Sequence, residues 1–218
     1  MATREDVIAA VEKHRIIVIA RGFETEELIS AAGAMYEGGI RLLEVTYDAK
    51  GNPADEEIAA RIGALARHFE GRMFIGAGTV LTEKQVELTK RAGGRFIISP
   101  DSCAEVIRKT RELGLVSIPG AFTPSEATAA HRAGADFIKI FPNSEVKPSY
   151  IKALAVPLSH IRFLAVGGVT AENAAEYLNA GAAGIGVASG ILDKKLVRAK
   201  DFAAVTEKAR QYVLSVRG

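Results

Sequence analysis

The chain contains little of what several classes of protein require. It has one cysteine, Cys103, in 218 residues, so no internal disulfide can form and a reducing compartment such as the cytoplasm is expected. Tryptophan is absent, aromatic residues make up 6% and the formal net charge is +2, which argues against nucleic acid or an anionic membrane as a partner. No apolar run approaches bilayer length, and the polar N-terminus does not resemble a signal peptide.

Metal-binding patterns are also missing. The four histidines, His14, His68, His131 and His160, show no pairing at helical spacing, and only one cysteine could join them. The sequence therefore predicts neither a zinc site nor another transition-metal site, and no cofactor.

Short apolar runs alternate with helical segments along the whole chain. Predicted strands begin near Ile16, Leu42, Met73, Phe96, Leu115, Ala135, Arg162 and Gly184. A helical segment follows each strand, and a further helix is predicted from Thr3 to about Glu12. Buried strands that alternate with helices form a parallel sheet. Eight such units predict an α/β fold, a (β/α)₈ TIM barrel with an extra N-terminal helix, as one domain over residues 1–218.

Active sites of such barrels lie at the carboxyl ends of the strands. The polar or glycine positions predicted at these ends are Arg21, Glu44, Thr46, Thr79, Ser99, Lys139, Gly167, Gly168 and Ser189.

Lys139 lies in a short apolar strand, on the same face as Phe137 and Phe141. Burial disfavours the ammonium form and lowers a lysine pKa, and the neutral amine is a nucleophile that forms Schiff bases with ketones. The alternative is a structural lysine held in an ion pair, or one whose charged end reaches solvent from an edge strand.

Glu44 shares a strand face with Leu42 and Thr46, so its pKa is expected to rise and suit acid–base catalysis. The alternative is a buried ion pair between Glu44 and Lys139 with no chemical role. Arg21 presents a fork of donors that suits a carboxylate, or else it pairs with Glu44 or Asp48.

Glycines cluster after the last two predicted strands, at Gly167–Gly168 and Gly186–Gly190. Barrels commonly bind phosphate there, because glycine lets backbone N–H groups approach an anion. Ser189 could add its hydroxyl. The alternative is that both stretches are simply tight turns. Gly76-Ala77-Gly78 is less specific and is interpreted as a turn that lets Thr79 face the pocket.

A set of motifs spread over nearly the whole chain resembles the KDPG/KHG aldolase family. The motifs are Glu44-Val45-Thr46, Gly76-Ala77-Gly78-Thr79-Val80, Ile97-Ile98-Ser99-Pro100, Ile118-Pro119-Gly120, Thr123-Pro124-Ser125-Glu126, Lys139-Ile140-Phe141-Pro142 and Val166-Gly167-Gly168-Val169. The resemblance implies a class I aldolase that splits 2-keto-3-deoxy-6-phosphogluconate, or its galactonate epimer, into pyruvate and glyceraldehyde 3-phosphate. It also implies activity on 4-hydroxy-2-oxoglutarate and a homotrimer.

The same resemblance implies roles for individual residues. Lys139 would form the Schiff base and Glu44 would move protons. Arg21 and Thr79 would hold the pyruvyl carboxylate, and Gly167, Gly168 and Ser189 the phosphate. Pro100 and Phe141 would also contact the substrate.

Val166 and the run Lys139-Ile140-Phe141-Pro142-Asn143-Ser144 are more similar to the galactonate branch of that family. Tyr47-Asp48 stands where many gluconate-type members carry an arginine, and Val166 stands where many carry a threonine. Two readings from other classes stay open: a phosphate-binding barrel with isomerase or synthase chemistry, such as thiamine phosphate synthesis, and a non-catalytic sugar-phosphate-binding barrel.

Overall fold

The apolar runs form parallel strands buried on both faces. The structure is a computed structural model that describes residues 2–217. Within that range the strands are β1 Ile16–Ala20, β2 Leu42–Thr46, β3 Phe74–Gly78, β4 Phe96–Ile98, β5 Val116–Ile118, β6 Gly120–Ala121, β7 Ile138–Ile140, β8 Phe163–Val166 and β9 Ala182–Val187.

The strands form one sheet in the order β5-β4-β3-β2-β1-β9-β8-β7-β6. Strands β5 and β6 are two parts of one extended segment that is interrupted at Pro119, which has no N–H to donate. The N–H groups of Asp136 and Lys139 donate to the carbonyls of Ser117 and Pro119, both at 2.9 Å, so β7 joins this segment and closes the barrel. The predicted (β/α)₈ barrel is confirmed.

Helices connect the strands on the outside. They are α1 Arg4–His14, α2 Thr25–Glu37, α3 Asp55–His68, α4 Glu83–Arg91, α5 Ala104–Glu112, α6 Pro124–Ala133, the 3₁₀ helix η1 Asn143–Glu145, α7 Pro148–Ala155, α8 Ala174–Asn179, α9 Lys194–Arg198 and α10 Phe202–Ser215. The short elements η1 and α9 were not predicted, because so few residues carry no periodic signal. Within residues 2–217 no helix is long and apolar enough to cross a membrane.

Strand side chains alternate between two cores. In β1, Ile16 and Val18 pack outward against the helices, whereas Ile17 belongs to the cluster that fills the barrel. Val7 and Val11 of α1 belong to that inner cluster as well. The extra N-terminal helix, predicted from the sequence, therefore covers the amino end of the barrel and leaves the carboxyl end open.

Asp136, just before β7, connects the elements that close the amino end of the barrel. Its side chain is 3% exposed, and it accepts a hydrogen bond from the Ser117 N–H at 2.9 Å. It also pairs with Arg4 of α1 and, at 3.2 Å, with Arg111 of α5. One buried carboxylate thus joins α1, α5 and two strands at the amino end of the barrel.

Replacing Asp136 with alanine is expected to lower the free energy of unfolding by about 1–3 kcal/mol, because the buried Ser117 N–H loses its acceptor. Urea unfolding measures this. The control is Glu5→Ala: Glu5 is exposed and pairs with the same Arg4 at 3.0 Å, so its loss should stay below about 1 kcal/mol. Equal effects of the two substitutions would contradict this account of Asp136.

Candidate active site

Parallel strands bring the predicted site residues to one end of the barrel. Arg21, Thr79, Gly167 and Ser189 come after β1, β3, β8 and β9, respectively. Glu44 and Lys139 lie within β2 and β7, one layer deeper. The carboxyl ends of all these strands open on the same side, so the residues surround one mouth.

Lys139 is the deepest cation of this group. Ile138 and Ile140 belong to the outer core, whereas Phe137 belongs to the inner cluster, so Lys139 points into the barrel. It is 7% exposed, and its Nζ lies 4.5 Å from the ring centroid of Phe141, which is itself 39% exposed. Burial lowers the pKa of the Lys139 ammonium, against the opposing effect of the Glu44 carboxylate. The sequence expectation of a shielded amine agrees with this placement.

The space beneath Lys139 is apolar. A cavity of about 10 Å³ lies there. Apart from Lys139 it is lined by Ile17, Ile19, Ile98, Ile118, Leu164, Val166, Ile185 and Gly186. A buried water needs several polar partners, and this lining supplies only the lysine. The apolar lining of this cavity therefore offers no group to replace the hydrogen bonds to water that the buried Lys139 amine has lost.

Glu44 is the matching buried carboxyl group. It is 3% exposed, and its Oε2 has no hydrogen-bond partner within the described residues. Burial raises the pKa of Glu44 to about 7, although the charges of Lys139 and Arg21 oppose the shift. A group with this pKa exchanges protons readily near neutrality.

The alternative of a Glu44–Lys139 ion pair is wrong. None of the salt bridges among residues 2–217 joins these two side chains. Their charges still interact: the Lys139 charge lowers the pKa of Glu44, and the Glu44 charge raises the pKa of Lys139, in each case against the larger effect of burial. The two groups share one electrostatic environment without a direct contact that would hold both of them charged.

Gly78 makes room for the Glu44 carboxylate. A Cβ on Gly78 would overlap Glu44 Oε1, so any larger residue at this position would displace the carboxylate. The sequence interpretation of Gly76-Ala77-Gly78 as a turn is wrong, because these residues continue strand β3. The two glycines are visible in the sequence. The sequence does not show that the Glu44 carboxylate of the neighbouring strand β2 occupies the space beside Gly78.

Arg21 and Thr79 meet at the rim. The Arg21 guanidinium donates to Thr79 Oγ1 at 3.0 Å, and the described residues contain no ion pair of Arg21 with Glu44 or Asp48. Thr79 has a φ of 54°, which is rare for a β-branched residue and costs about 1–3 kcal/mol. A guanidinium and a hydroxyl held side by side provide donors for a carboxylate.

The glycine turns lie on the neighbouring part of the rim. Gly167 and Gly168 have φ values of 106° and 69°, in the region that favours glycine. Ser189 is exposed just beyond β9, and β8 pairs with β9 through Val166 and Gly186. The Gly167 carbonyl accepts a hydrogen bond from Asn143, a buried residue of η1 that the sequence reasoning did not select.

Pro100 follows β4 and is partly buried beside the segment that contains Gly120. A Cβ on Gly120 would lie 2.3 Å from the Pro100 carbonyl oxygen, so the two strand ends are tightly packed. The neighbouring Asp101 raises the pKa of Lys139, more weakly than burial lowers it. Asp101 was also not selected from the sequence, because its electrostatic effect depends on the closed barrel.

The other two strand-end positions are buried. Thr46 donates to the Ala20 carbonyl at 3.0 Å, and the Ser99 N–H donates to the Ile118 carbonyl at 3.3 Å.

A larger cleft of about 620 Å³ lies at the opposite end of the barrel. Its lining includes Asp6, Arg67, Arg72 and Arg95, and none of the residues selected from the sequence for the site. Size alone would favour this cleft. The shifted pKa values of Lys139 and Glu44 instead identify the barrel mouth as the candidate active site.

The family model described as KDPG and KHG aldolase matches residues 7–208. One similar protein is the 2-dehydro-3-deoxy-6-phosphogalactonate aldolase of Escherichia coli (strain K12). It is 40% identical over 175 residues, which cover 80% of this chain and 82% of the relative.

Two solved structures are similar across almost the whole chain. A cube-shaped protein cage designed by fusing symmetric oligomeric domains shares 36% identity with a TM-score of 0.84, and the match covers 94% of this chain and 73% of that one. The KDPG aldolase of Legionella pneumophila, with pyruvate captured as a covalent carbinolamine intermediate, shares 27% identity with a TM-score of 0.83, over 96% of this chain and 97% of that one. The match to the family model, the similarity to a named aldolase and the shared barrel agree with one another: the chain belongs to the KDPG and KHG aldolase family and is an aldolase.

Proposed function

We propose that the chain is a class I aldolase in which Lys139 forms a Schiff base with a 2-keto acid. The observation that carries the proposal is the buried amine of Lys139, whose pKa burial lowers, inside the same barrel as the buried carboxyl group of Glu44, whose Oε2 has no hydrogen-bond partner among residues 2–217. A neutral amine attacks a ketone, whereas an ammonium ion cannot.

The proposed reaction uses only these two groups for the chemistry. The Lys139 amine adds to the C2 ketone, and loss of water leaves an iminium ion that accepts the electron pair of the C3–C4 bond. Glu44, through a bound water, takes the proton of the C4 hydroxyl as that bond breaks and the aldehyde leaves. Glu44 then returns a proton to C3 of the enamine. Hydrolysis of the iminium releases pyruvate and restores the amine.

The rim residues would hold the two ends of the substrate. Arg21 and Thr79, joined by their hydrogen bond, would bind the carboxylate next to the ketone. Gly167, Gly168 and Ser189 would bind a terminal phosphate through N–H and hydroxyl donors. Pro100 and Phe141 would line the space between these ends.

The proposed substrates are 2-keto-3-deoxy-6-phosphogluconate or its galactonate epimer, cleaved to pyruvate and glyceraldehyde 3-phosphate, with 4-hydroxy-2-oxoglutarate as a smaller substrate. The names of the matched family and of the 40% identical relative support this choice. Val166 and the run Lys139-Ile140-Phe141-Pro142-Asn143-Ser144 favour the galactonate epimer, on the resemblance described above.

Pyruvate release should be measured side by side on the two epimeric phosphates and on 4-hydroxy-2-oxoglutarate. We expect release from at least one phosphate, and treatment with pyruvate and borohydride should attach a stable adduct to Lys139, found by peptide mass analysis. Lys139→Arg should abolish both results, because arginine stays charged and cannot form the Schiff base.

The matched control is Lys147→Arg, a substitution of the same kind at an exposed residue shortly after β7, which should keep both activity and labelling. Pyruvate release that survives Lys139→Arg would contradict a Schiff base at Lys139, and no pyruvate release from any of the three substrates would leave isomerase or synthase chemistry as the alternative. Tight binding of the phosphates without any turnover would support a non-catalytic barrel.

The burial of Glu44 predicts a dependence of stability on pH. Its pKa rises from 4.5 to about 7 on folding, so the folded protein binds more protons in that window and loses stability as the pH rises through it. Glu44→Gln removes this loss. The variant should therefore exceed the wild type in free energy of unfolding at pH 8 by up to about 3 kcal/mol, and by much less near pH 4.5.

Urea unfolding at both pH values checks this prediction, with exposed Glu70→Gln as the control that should match the wild type. The same Glu44→Gln variant should lose activity by roughly 10²–10⁴-fold, because glutamine cannot exchange the proton. A variant that is no more stable at pH 8 would show that Glu44 is not desolvated as described.

We also propose that the protein is a homotrimer. The large apolar side chains Leu81 and Phe122 are exposed after β3 and β6, on the side where the strands have their carboxyl ends. Exposed apolar side chains are candidates for an association surface. Light scattering should give a mass near three times the 23.2 kDa of one chain, and a mass near 23.2 kDa would contradict the proposal.

A further inference from the structure

Asn143 is a buried amide that the proposed mechanism does not use. It begins η1, just after β7, and is 0% exposed. Its Nδ2 donates to the Gly167 carbonyl at 3.1 Å, while its Oδ1 has no hydrogen-bond partner within the described residues. An unpaired buried polar atom is costly, and an apolar side chain of similar size would avoid the cost. Stability alone therefore does not account for an asparagine here.

The turn that Asn143 holds is built from glycine because η1 packs against it. A Cβ on Gly168 would lie 3.1 Å from both Cα and Cβ of Ser144, and a Cβ on Gly167 would lie 3.4 Å from the Asn143 nitrogen. Both glycines also have positive φ values, of 106° and 69°. A side chain on Gly168 would press against Ser144 of η1, and the positive φ values would strain any other residue at either position.

A second asparagine holds the next carbonyl of the turn. Asn173 Nδ2 donates to the Gly168 carbonyl at 3.1 Å, and Asn173 Oδ1 accepts from the Thr170 N–H at 2.8 Å. Asn143 and Asn173 therefore fix two successive peptide planes, one from the buried side and one from the start of the segment that leads into α8.

Fixing these carbonyls also fixes the direction of two N–H groups. In a trans peptide the carbonyl and the following N–H point in opposite directions. The Gly167 carbonyl points toward the buried Asn143, so the Gly168 N–H points the other way, and Gly168 itself is exposed. Within residues 2–217, neither the Gly168 N–H nor the Val169 N–H donates to an acceptor. Successive unpaired N–H groups of this kind form a concave site for an anion.

We propose that Asn143 is a positioning residue for phosphate binding: its amide holds the Gly167 carbonyl inward, which aims the Gly168 N–H at the phosphate of the substrate. The inference rests on the proposed aldolase function. It assigns to Asn143 the preference for phosphorylated substrates over unphosphorylated ones, without any contact between Asn143 and the substrate.

Asn143→Leu tests the inference, because leucine has a similar volume and lacks both the donor and the unpaired oxygen. We expect kcat/KM for the preferred phosphorylated substrate to fall roughly 10- to 100-fold, mainly through KM, since a charge-assisted hydrogen bond is lost. On 4-hydroxy-2-oxoglutarate, which has no phosphate, kcat/KM should stay within about twofold of the wild type. Inhibition of that reaction by inorganic phosphate should weaken by a similar factor of roughly 10 to 100.

Asn143→Ala provides the same comparison if the leucine variant does not fold, and Asn179→Leu, at an exposed residue at the end of α8, is the matched control. Equal losses on phosphorylated and unphosphorylated substrates, or unchanged inhibition by phosphate, would overturn the inference. Failure of the proposed function would look different: the wild-type protein itself would then not acquire a borohydride-stable adduct at Lys139.

Discussion

The exclusion of water from the barrel interior is the constraint on which the site depends. Burial acts in opposite directions on Lys139 and Glu44: it lowers the pKa of the ammonium and raises that of the carboxyl group. A direct ion pair would cancel both effects and hold both groups charged. Because the described residues contain no such pair, desolvation remains the largest cause of both shifts.

The two ends of the barrel contribute differently to the site that lies in the water-free interior. At the amino end, α1 covers the inner cluster, and Asp136 joins it to the barrel through Arg4, Arg111 and the Ser117 N–H. At the carboxyl end, the lack of a side chain on Gly78 leaves room for the Glu44 carboxylate, and Gly168 lies close against Ser144 of η1. The bonds of Asp136 stabilise the closed amino end of the barrel, whereas glycines at the carboxyl end allow neighbouring groups to approach closely.

The periodic part of the fold could be predicted from the sequence, and the contacts between distant segments could not. The alternation around Ile16–Ala20 and Leu42–Thr46 predicted strands that the structure contains. Gly76-Ala77-Gly78 was misread as a turn because glycine usually marks turns, whereas here it lies in a strand opposite a carboxylate. Asn143 went unselected because an asparagine in a short loop has no distinguishing pattern until Gly167 is placed beside it.

The sequence by itself determined the alternation of strands with helices, the placement of Lys139 and Glu44 within buried strands, and the glycine-rich ends of the last two barrel strands, since all three follow from local pattern and composition. Only the tertiary structure decided that Lys139 and Glu44 do not pair, that Arg21 donates to Thr79, and that two asparagines orient the Gly167–Gly168 turn. These features depend on distances between segments that closure of the barrel brings together, and local sequence does not contain those distances.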